Sequence, residues 1–361
     1  MSVYKNPDSG TWYSICRFTD WKGVHKQKCR RGFTTKREAL EWEREFLMQR
    51  QADVDMTFDS FVQLYEKDIK PKLKLNTWLT KESIIQKKIL PYFKDRKLSE
   101  ITAKDIMDWQ NEIRSLTDSK GKPYSTTYLK TVHNQFSCIF NHAIKYYGLQ
   151  INPAARAGNM GSEEKKEMLF WTKAEYLKFI DAMMDKPLSF YAFEMLYWCG
   201  IREGELLALT SADFDFTGST VSINKSYQRL EGQDIITTPK TKKSNRIIKM
   251  PQFLCDEMQE YIKMFYSAGK SDRIFPVTKH YLKHEMERGC KETGVKRIRI
   301  HDIRHSHVSL LIDMGFTALA IADRVGHESI DITYRYAHLF PTRQTEMAEK
   351  LNLERGAESC R

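Results

Sequence analysis

Two polar stretches with no apolar period, QADVDM at 51–56 and RAGNMGSEEKKEM at 156–168, constrain this chain more than any other feature. They read as linkers, and they cut 361 residues into segments whose hydrophobic periods differ. At about 150 residues per domain, the length itself implies two or three domains. Hydrophobic residues make up 41% and charged residues 29%, which excludes collagen-like, disordered and low-complexity chains. No apolar run nears the roughly 18 residues that a spanning helix needs. The best candidate, 188–201, is interrupted by Glu194. The start, MSVYKNPDSG, has no apolar signal-peptide core. The expectation is a soluble, unexported chain with no membrane partner.

The net charge of +11 points to an anionic partner, nucleic acid before a membrane surface. A basic enzyme without a polyanion partner is the bland alternative. The cysteines, at 16, 29, 138, 199, 255, 290 and 360, are odd in number and form no C-x-x-C. Neither a disulfide framework nor a cysteine zinc site is indicated.

The first segment, 1–55, reads as β-β-β-α. TWYSICRF at 11–18 and VHKQKCRR at 24–31 are strand-like around the turn DWKG, and VYK at 3–5 supplies a third strand. Thr34 or Thr35 caps a helix ending near Arg50, whose Ala39, Leu40, Trp42, Phe46 and Leu47 share one arc and cover the sheet. The uncovered face is assigned Arg17, Lys26, Lys28 and Arg30. A bare basic sheet face suits a DNA major groove, although a merely solvated face has the same look.

The second segment, 56–155, is all helix. Thr102 with Asp105 resembles a capping box, and a long helix from Ser125 ends at Gly148. Such a bundle stands independently. After the linker 156–168, Thr172 and Glu175 form a T-x-x-E start. Helices are expected over 173–185 and 188–209, then strands at STVSINK, DIITTPK and NRIIKM, and helices from Pro251 and Lys279. DIITTPK and NRIIKM read as a hairpin with Lys240, Lys242 and Lys243 at its tip. The fold class is therefore multidomain α+β: a small three-stranded sheet with a helix, an all-helical domain, and a mostly helical domain with a small antiparallel sheet.

The chain has no G-x-x-x-x-G-K, G-x-G-x-x-G, H-E-x-x-H or G-x-S-x-G. His301, His305 and His307 invite a zinc hypothesis, but at about 100° per residue His307 points away from the other two. No fourth ligand is well placed, so no metal is assigned. His301 and Arg304 lie one turn apart on a helix apolar almost all round. A buried arginine with no carboxylate at helix spacing needs an anionic partner, and a phosphate would satisfy it. Arg202 lies just after Gly200, with Glu205 at i+3 as a structural ion-pair partner. In VGHESIDITYRYAH, His327 follows Gly326, Ser329 is a candidate N-cap, and Tyr334 and Tyr336 face opposite sides of a short helix.

Arg202 in G-I-R-E-G-E-L, Lys240, H-D-I-R at 301–304, G-H at 326–327 and T-Y-R-Y-A-H at 333–338 together resemble the tyrosine recombinase pattern. The resemblance spans the chain and is nearest to integrases of conjugative transposons and temperate phages. Cys199 and Val325 depart from the threonine and leucine common there. The resemblance implies an arm-type DNA-binding domain at 1–55 and a core-binding domain at 56–155. It implies a catalytic domain at 169–341 and a tail, 342–361, that packs on a neighbouring subunit.

What the resemblance implies of mechanism follows the same residues. Tyr336 attacks a DNA phosphodiester, giving a 3′-phosphotyrosyl bond and a free 5′-hydroxyl. Arg202 and Arg304 clamp the phosphate oxygens. Lys240 protonates the leaving oxygen, His301 accepts the proton of Tyr336 or holds the phosphate, and His327 donates to a non-bridging oxygen. Glu205 orients Arg202. No cofactor is required. The partners are double-stranded DNA at arm and core attachment sites, a tetramer on DNA, an excisionase and a host DNA-bending protein. The location is the bacterial cytoplasm, on the nucleoid during activity. Two rivals remain: a non-catalytic DNA-binding regulator, and a type IB topoisomerase that relaxes DNA.

Overall fold

The computed structural model describes residues 3–7, 9–19, 25–51, 56–163, 168–239, 242–264, 269, 271–334, 336, 348 and 351. The chain divides into two compact units, Met1–Lys166 and Glu167–Arg361.

The first unit opens with β1 (Val3–Lys5), β2 (Trp12–Thr19) and β3 (His25–Phe33), antiparallel in that order, followed by α1 (Lys36–Gln51). Thr35 is the cap: its hydroxyl accepts from the Glu38 N–H at 3.1 Å, while Thr34 donates to the Glu38 carboxylate at 2.7 Å. Ser14, Cys16, Phe33 and Ala39 are buried.

Here the register corrects the sequence reading. Cys16 lies opposite Lys28 and Ser14 opposite Arg30, so these share one face. Arg30 sits there with its guanidinium 5.5 Å from the Phe33 and Trp42 rings, on the side α1 covers. Arg17 pairs with Gln27 and belongs to the opposite, open face. The four basic residues therefore do not form one surface; the side chain of Lys26 lies outside the described residues. The open face carries Tyr13 against Tyr4 (ring centroids 5.5 Å), with the Arg31 guanidinium 5.9 Å from the Tyr13 ring. Period-2 strands flip every side chain on a one-residue slip, and the register here follows from pairing between strands, which residue types alone do not specify.

The helical part comprises α2 (Phe58–Ile69), α3 (Leu75–Ile84), α4 (Leu90–Phe93), α5 (Ala103–Ser115), α6 (Thr126–Tyr147) and α7 (Pro153–Ala157). Thr102 and Asp105 form both bonds of the capping box, and Gly148 caps α6 in the left-handed conformation. An aromatic core of Phe58, Phe93, Trp109, Phe136 and Phe140 holds the helices together. The expected linker begins later than its composition suggests. Gln110 donates to the Gly158 carbonyl at 2.7 Å, Arg114 to the Met160 carbonyl at 3.2 Å, and Met160 is buried in this core. Among the described residues, no helix is long and apolar enough to cross a membrane.

The second unit starts at α8 (Lys173–Asp181), behind the Thr172–Glu175 capping box, and continues into α9 (Pro187–Cys199) and α10 (Glu203–Leu206). The single helix expected over 188–209 is thus broken. Gly200 takes φ 61°, and a Cβ there would lie 2.3 Å from Cδ2 of His307. Next come β4 (Phe214–Asp215), β5 (Thr220–Ile223), β6 (Ser226–Leu230), β7 (Gln233–Thr237) and β8 (Arg246–Lys249). They form a β4-β5-β8 sheet and a separate β6-β7 ribbon. The expected DIITTPK–NRIIKM hairpin is therefore not formed: β7 pairs with β6, and β8 with β5. β6 escaped notice because only Tyr227 of SYQRL is buried. Lys240 lies outside the described residues, as does the side chain of Lys242.

The remaining helices are α11 (Gln252–Lys263), α12 (Lys279–Thr293), α13 (Ile300–Asp313), α14 (Ala318–Val325) and α15 (Ile330–Tyr334). One large apolar core runs from Trp171 to Ile303. A smaller one gathers Val308, Ile312, Ile321, Val325 and Tyr336. Of the tail at 342–361, only 348 and 351 are described, so its expected subunit contact lies outside the described residues.

Candidate active site

Arg304 is the most deeply placed cation of the site. It projects from α13, whose N-terminus is closed by Asp302 accepting from the Arg299 N–H at 2.9 Å. Arg304 is 3% exposed. Its Nη1 donates to the Gly200 carbonyl at 2.7 Å and its Nη2 to the Val325 carbonyl. These carbonyls end α9 and α14, where helix dipoles favour a cation. Both of these partners are neutral carbonyls, so no carboxylate meets the guanidinium through these bonds. Burial, then the charges of Arg202 and Arg246, push the Arg304 pKa down. Such an environment favours an anion.

Arg202 heads α10. Its Nη1 donates to Glu205 Oε1 at 2.7 Å and to Ser244 Oγ at 3.3 Å, and its Nη2 to the Gly326 carbonyl at 3.2 Å. Its side chain remains 36% exposed, so the guanidinium can still meet a ligand. The ion pair with Glu205 is present, but Glu205 serves two arginines. Arg246 on β8, which sequence reasoning missed, contacts both Glu205 oxygens and donates through Nε to the Arg324 carbonyl at 3.0 Å. Burial opposes the Glu205 charge, yet Arg246 and Arg202 outweigh it and hold its pKa below the usual range. The close approach of Arg246 to the end of α14 needs Gly326. That residue has φ 70°, and a Cβ would lie 2.9 Å from the Lys243 carbonyl oxygen.

His327 follows that glycine and is buried, with Nδ1 2.8 Å from Thr333 Oγ1. Burial, then Arg304 and Arg202, push its pKa down to about 3, so it is neutral at pH 7. His301 stands at the surface in edge-to-face contact with His305, ring centroids 5.2 Å apart. Partial desolvation of its ring, then His305 and Arg304, lower its pKa.

Tyr336 is 2% exposed and packs in the small apolar core. Its N–H donates to the Thr333 carbonyl at 3.0 Å, and its hydroxyl contacts Nδ1 of His305, not His301. Tyr334 is 53% exposed. The two tyrosines do have opposite environments, but α15 ends at Tyr334. Tyr334 is the solvated one. The signal that could have found His305 is the helical face it shares with His301 and Arg304.

The structure thus brings Arg202, Glu205, Arg304, His327 and Tyr336 together, adds Arg246 and His305, and sets His301 at the edge. Among the described residues, no group of three or more His, Cys, Asp or Glu could hold a metal ion. Two guanidiniums, neutral imidazoles and a phenol suit binding a phosphodiester and transferring it to an oxygen.

The chain matches the Phage integrase family over residues 169–343. It also matches that family's N-terminal SAM-like domain over 57–114 and an Arm DNA-binding domain over 2–49. It is 31% identical over 339 residues to the ICEBs1 integrase of Bacillus subtilis (strain 168), spanning 88% of this chain and 90% of that one. In fold it is similar to the Tn1549 transposon integrase solved with a circular intermediate DNA. The TM-score is 0.66 at 21% identity, over 82% of this chain and 99% of that one. A lambda integrase dimer bound to a COC′ core site gives a TM-score of 0.58 at 18% identity, over 93% and 94%. The chain belongs to the phage integrase family and is a tyrosine-type site-specific recombinase.

Proposed function

We propose that this recombinase integrates and excises a mobile element through Tyr336. The phenolic oxygen attacks the scissile phosphate, leaving a 3′-phosphotyrosyl link and a 5′-hydroxyl that later rejoins a partner strand. The phosphoester is conserved through both steps, so no nucleotide is consumed. Arg202 and Arg304 neutralise the charge that builds on the non-bridging oxygens. His327 donates to one of them, and His301, at the mouth of the site, holds the phosphate. Lys240 protonates the departing 5′-oxygen, and Glu205 orients Arg202.

The observation that carries this reading is that Arg304, buried and bonded to the Gly200 and Val325 carbonyls, lies within electrostatic reach of the partly exposed Arg202 and of the buried Tyr336. The substrate is double-stranded DNA. Residues 1–55 bind arm sites, 56–155 and 169–341 bind the core site, 156–168 connect them, and 342–361 contact a neighbouring subunit in a tetramer. The Tn1549 integrase solved with a circular intermediate DNA, and lambda integrase solved as a dimer on a core site and as a tetramer on a Holliday junction, support these roles. The work takes place in the bacterial cytoplasm on nucleoid DNA, with an excisionase and a DNA-bending protein setting direction.

Sequencing the DNA trapped covalently on the protein in cells tests the reading. Capture of one recurrent pair of attachment sites is expected. Capture of random sequence, with relaxation of plasmids lacking any site, would instead indicate a topoisomerase.

A further inference from the structure

Four histidines crowd α13 and the start of the tyrosine segment, and their ring nitrogens are engaged differently. His327 Nδ1 faces Thr333. His307 Nε2 accepts from Arg324 Nε at 3.2 Å. His301 lies at the surface against the edge of His305. His305 Nδ1 meets the Tyr336 hydroxyl. The other ring nitrogen of His305, Nε2, is 3.7 Å from Oδ1 of Asp302, a carboxylate only 1% exposed. Arg299 and the start of α13 fix that carboxylate, with contacts of 2.7–3.1 Å.

We infer that His305, rather than His301, takes the proton of Tyr336 as its oxygen attacks phosphorus, with Asp302 facing the far side of the imidazole. The inference rests on the proposed role of Tyr336 as nucleophile. A tyrosine hydroxyl donating to Nδ1 leaves the neutral ring with its proton on Nε2, directed at Asp302. Burial keeps His305 below its ordinary pKa, so its Nδ1 lone pair is available at neutral pH. In the step, the Tyr336 O–P bond forms and the P–O5′ bond breaks. The phenolic proton passes to His305 Nδ1, and the 5′-oxygen takes a proton from the ammonium of Lys240. The imidazolium that results faces the Asp302 carboxylate. Rejoining runs the same transfers backwards, and His305 returns its proton to the departing phenoxide.

The test uses the full chain and a suicide attachment-site duplex, with tyrosine or a ring-fluorinated tyrosine, whose phenol ionises more readily, at position 336. His305→Ala should slow adduct formation about 10²–10⁴-fold, the usual range for a lost general base. Fluorinated tyrosine should restore at least about tenfold of that loss, because an acidic phenol needs the base less. His301→Ala should gain no more from the fluorinated residue than wild type does. His305→Gln, which keeps a hydrogen-bonding group in the same volume, replaces the alanine variant if that does not fold. A deficit in the His305 variants that fluorination leaves unchanged, or a rescue confined to His301→Ala, would overturn the inference. Failure of the underlying reading is distinguishable: the wild-type adduct would then map to a residue other than Tyr336.

Discussion

Arg246 holds both carboxylate oxygens of Glu205, with Nη2 3.0 Å from Oε2 and Nη1 3.3 Å from Oε1. Glu205 in turn binds Arg202, so one buried carboxylate fixes the guanidinium proposed to meet the phosphate. Removing one member of a buried pair costs about 3 kcal/mol, because the other charge is stranded. Glu205→Gln should therefore lower unfolding free energy by about that amount in urea titrations. Arg202→Lys should leave stability nearly unchanged and slow cleavage about 10²–10³-fold, as loss of a transition-state donor does.

Gly200→Ala should be more damaging than a surface glycine change. A left-handed alanine costs about 1–2 kcal/mol, and the new Cβ would also overlap the His307 ring. The carbonyl that holds Arg304 belongs to the same residue. Thermal unfolding should fall, and adduct formation should fall further than stability alone explains.

Stability should depend on pH in two opposed ways. His327 has its pKa lowered to about 3 when folded, against about 6.5 when unfolded. Its contribution is complete above 6.5 and is lost as pH falls from there, since only the unfolded chain binds the proton. His327→Gln should lose about 1 kcal/mol less than wild type between pH 7 and 5.5. Buried Glu194 acts in the other sense. Burial raises its pKa to about 7, so it gains stability as pH drops through that value. Glu194→Gln should remove that gain. Urea titrations at both pH values check the two slopes.

Lys240→Ala should slow cleavage of an ordinary phosphodiester yet spare a substrate whose 5′-bridging oxygen is sulfur. A thiolate leaves without protonation, so the missing acid would no longer matter. Rescue confined to Lys242→Ala or Lys243→Ala would move the acid to one of those positions.

The helical frame was legible because its signals are local. Thr102 with Asp105 and Thr172 with Glu175 each announce a helix start within four residues, and both capping boxes form. Arg304 was legible for a negative reason: its helix offers no carboxylate three or four residues away, and the groups it bonds are carbonyls from distant helix ends. What stayed hidden depends on contacts far along the chain. Arg246 reaches Glu205 across 41 residues, and nothing around NRIIKM announces it. The pairing of β8 with β5 instead of β7 is likewise a tertiary choice. His305 was visible on the right face, but its purpose depends on a tyrosine 31 residues onward.

The most direct test of the central claim is peptide mapping of the protein–DNA adduct trapped on a suicide attachment site. The phosphotyrosyl link should lie on Tyr336. An adduct should form with Tyr334→Phe and none with Tyr336→Phe, although that variant should still fold and bind the site. A link on the exposed Tyr334, or on neither tyrosine, would contradict it.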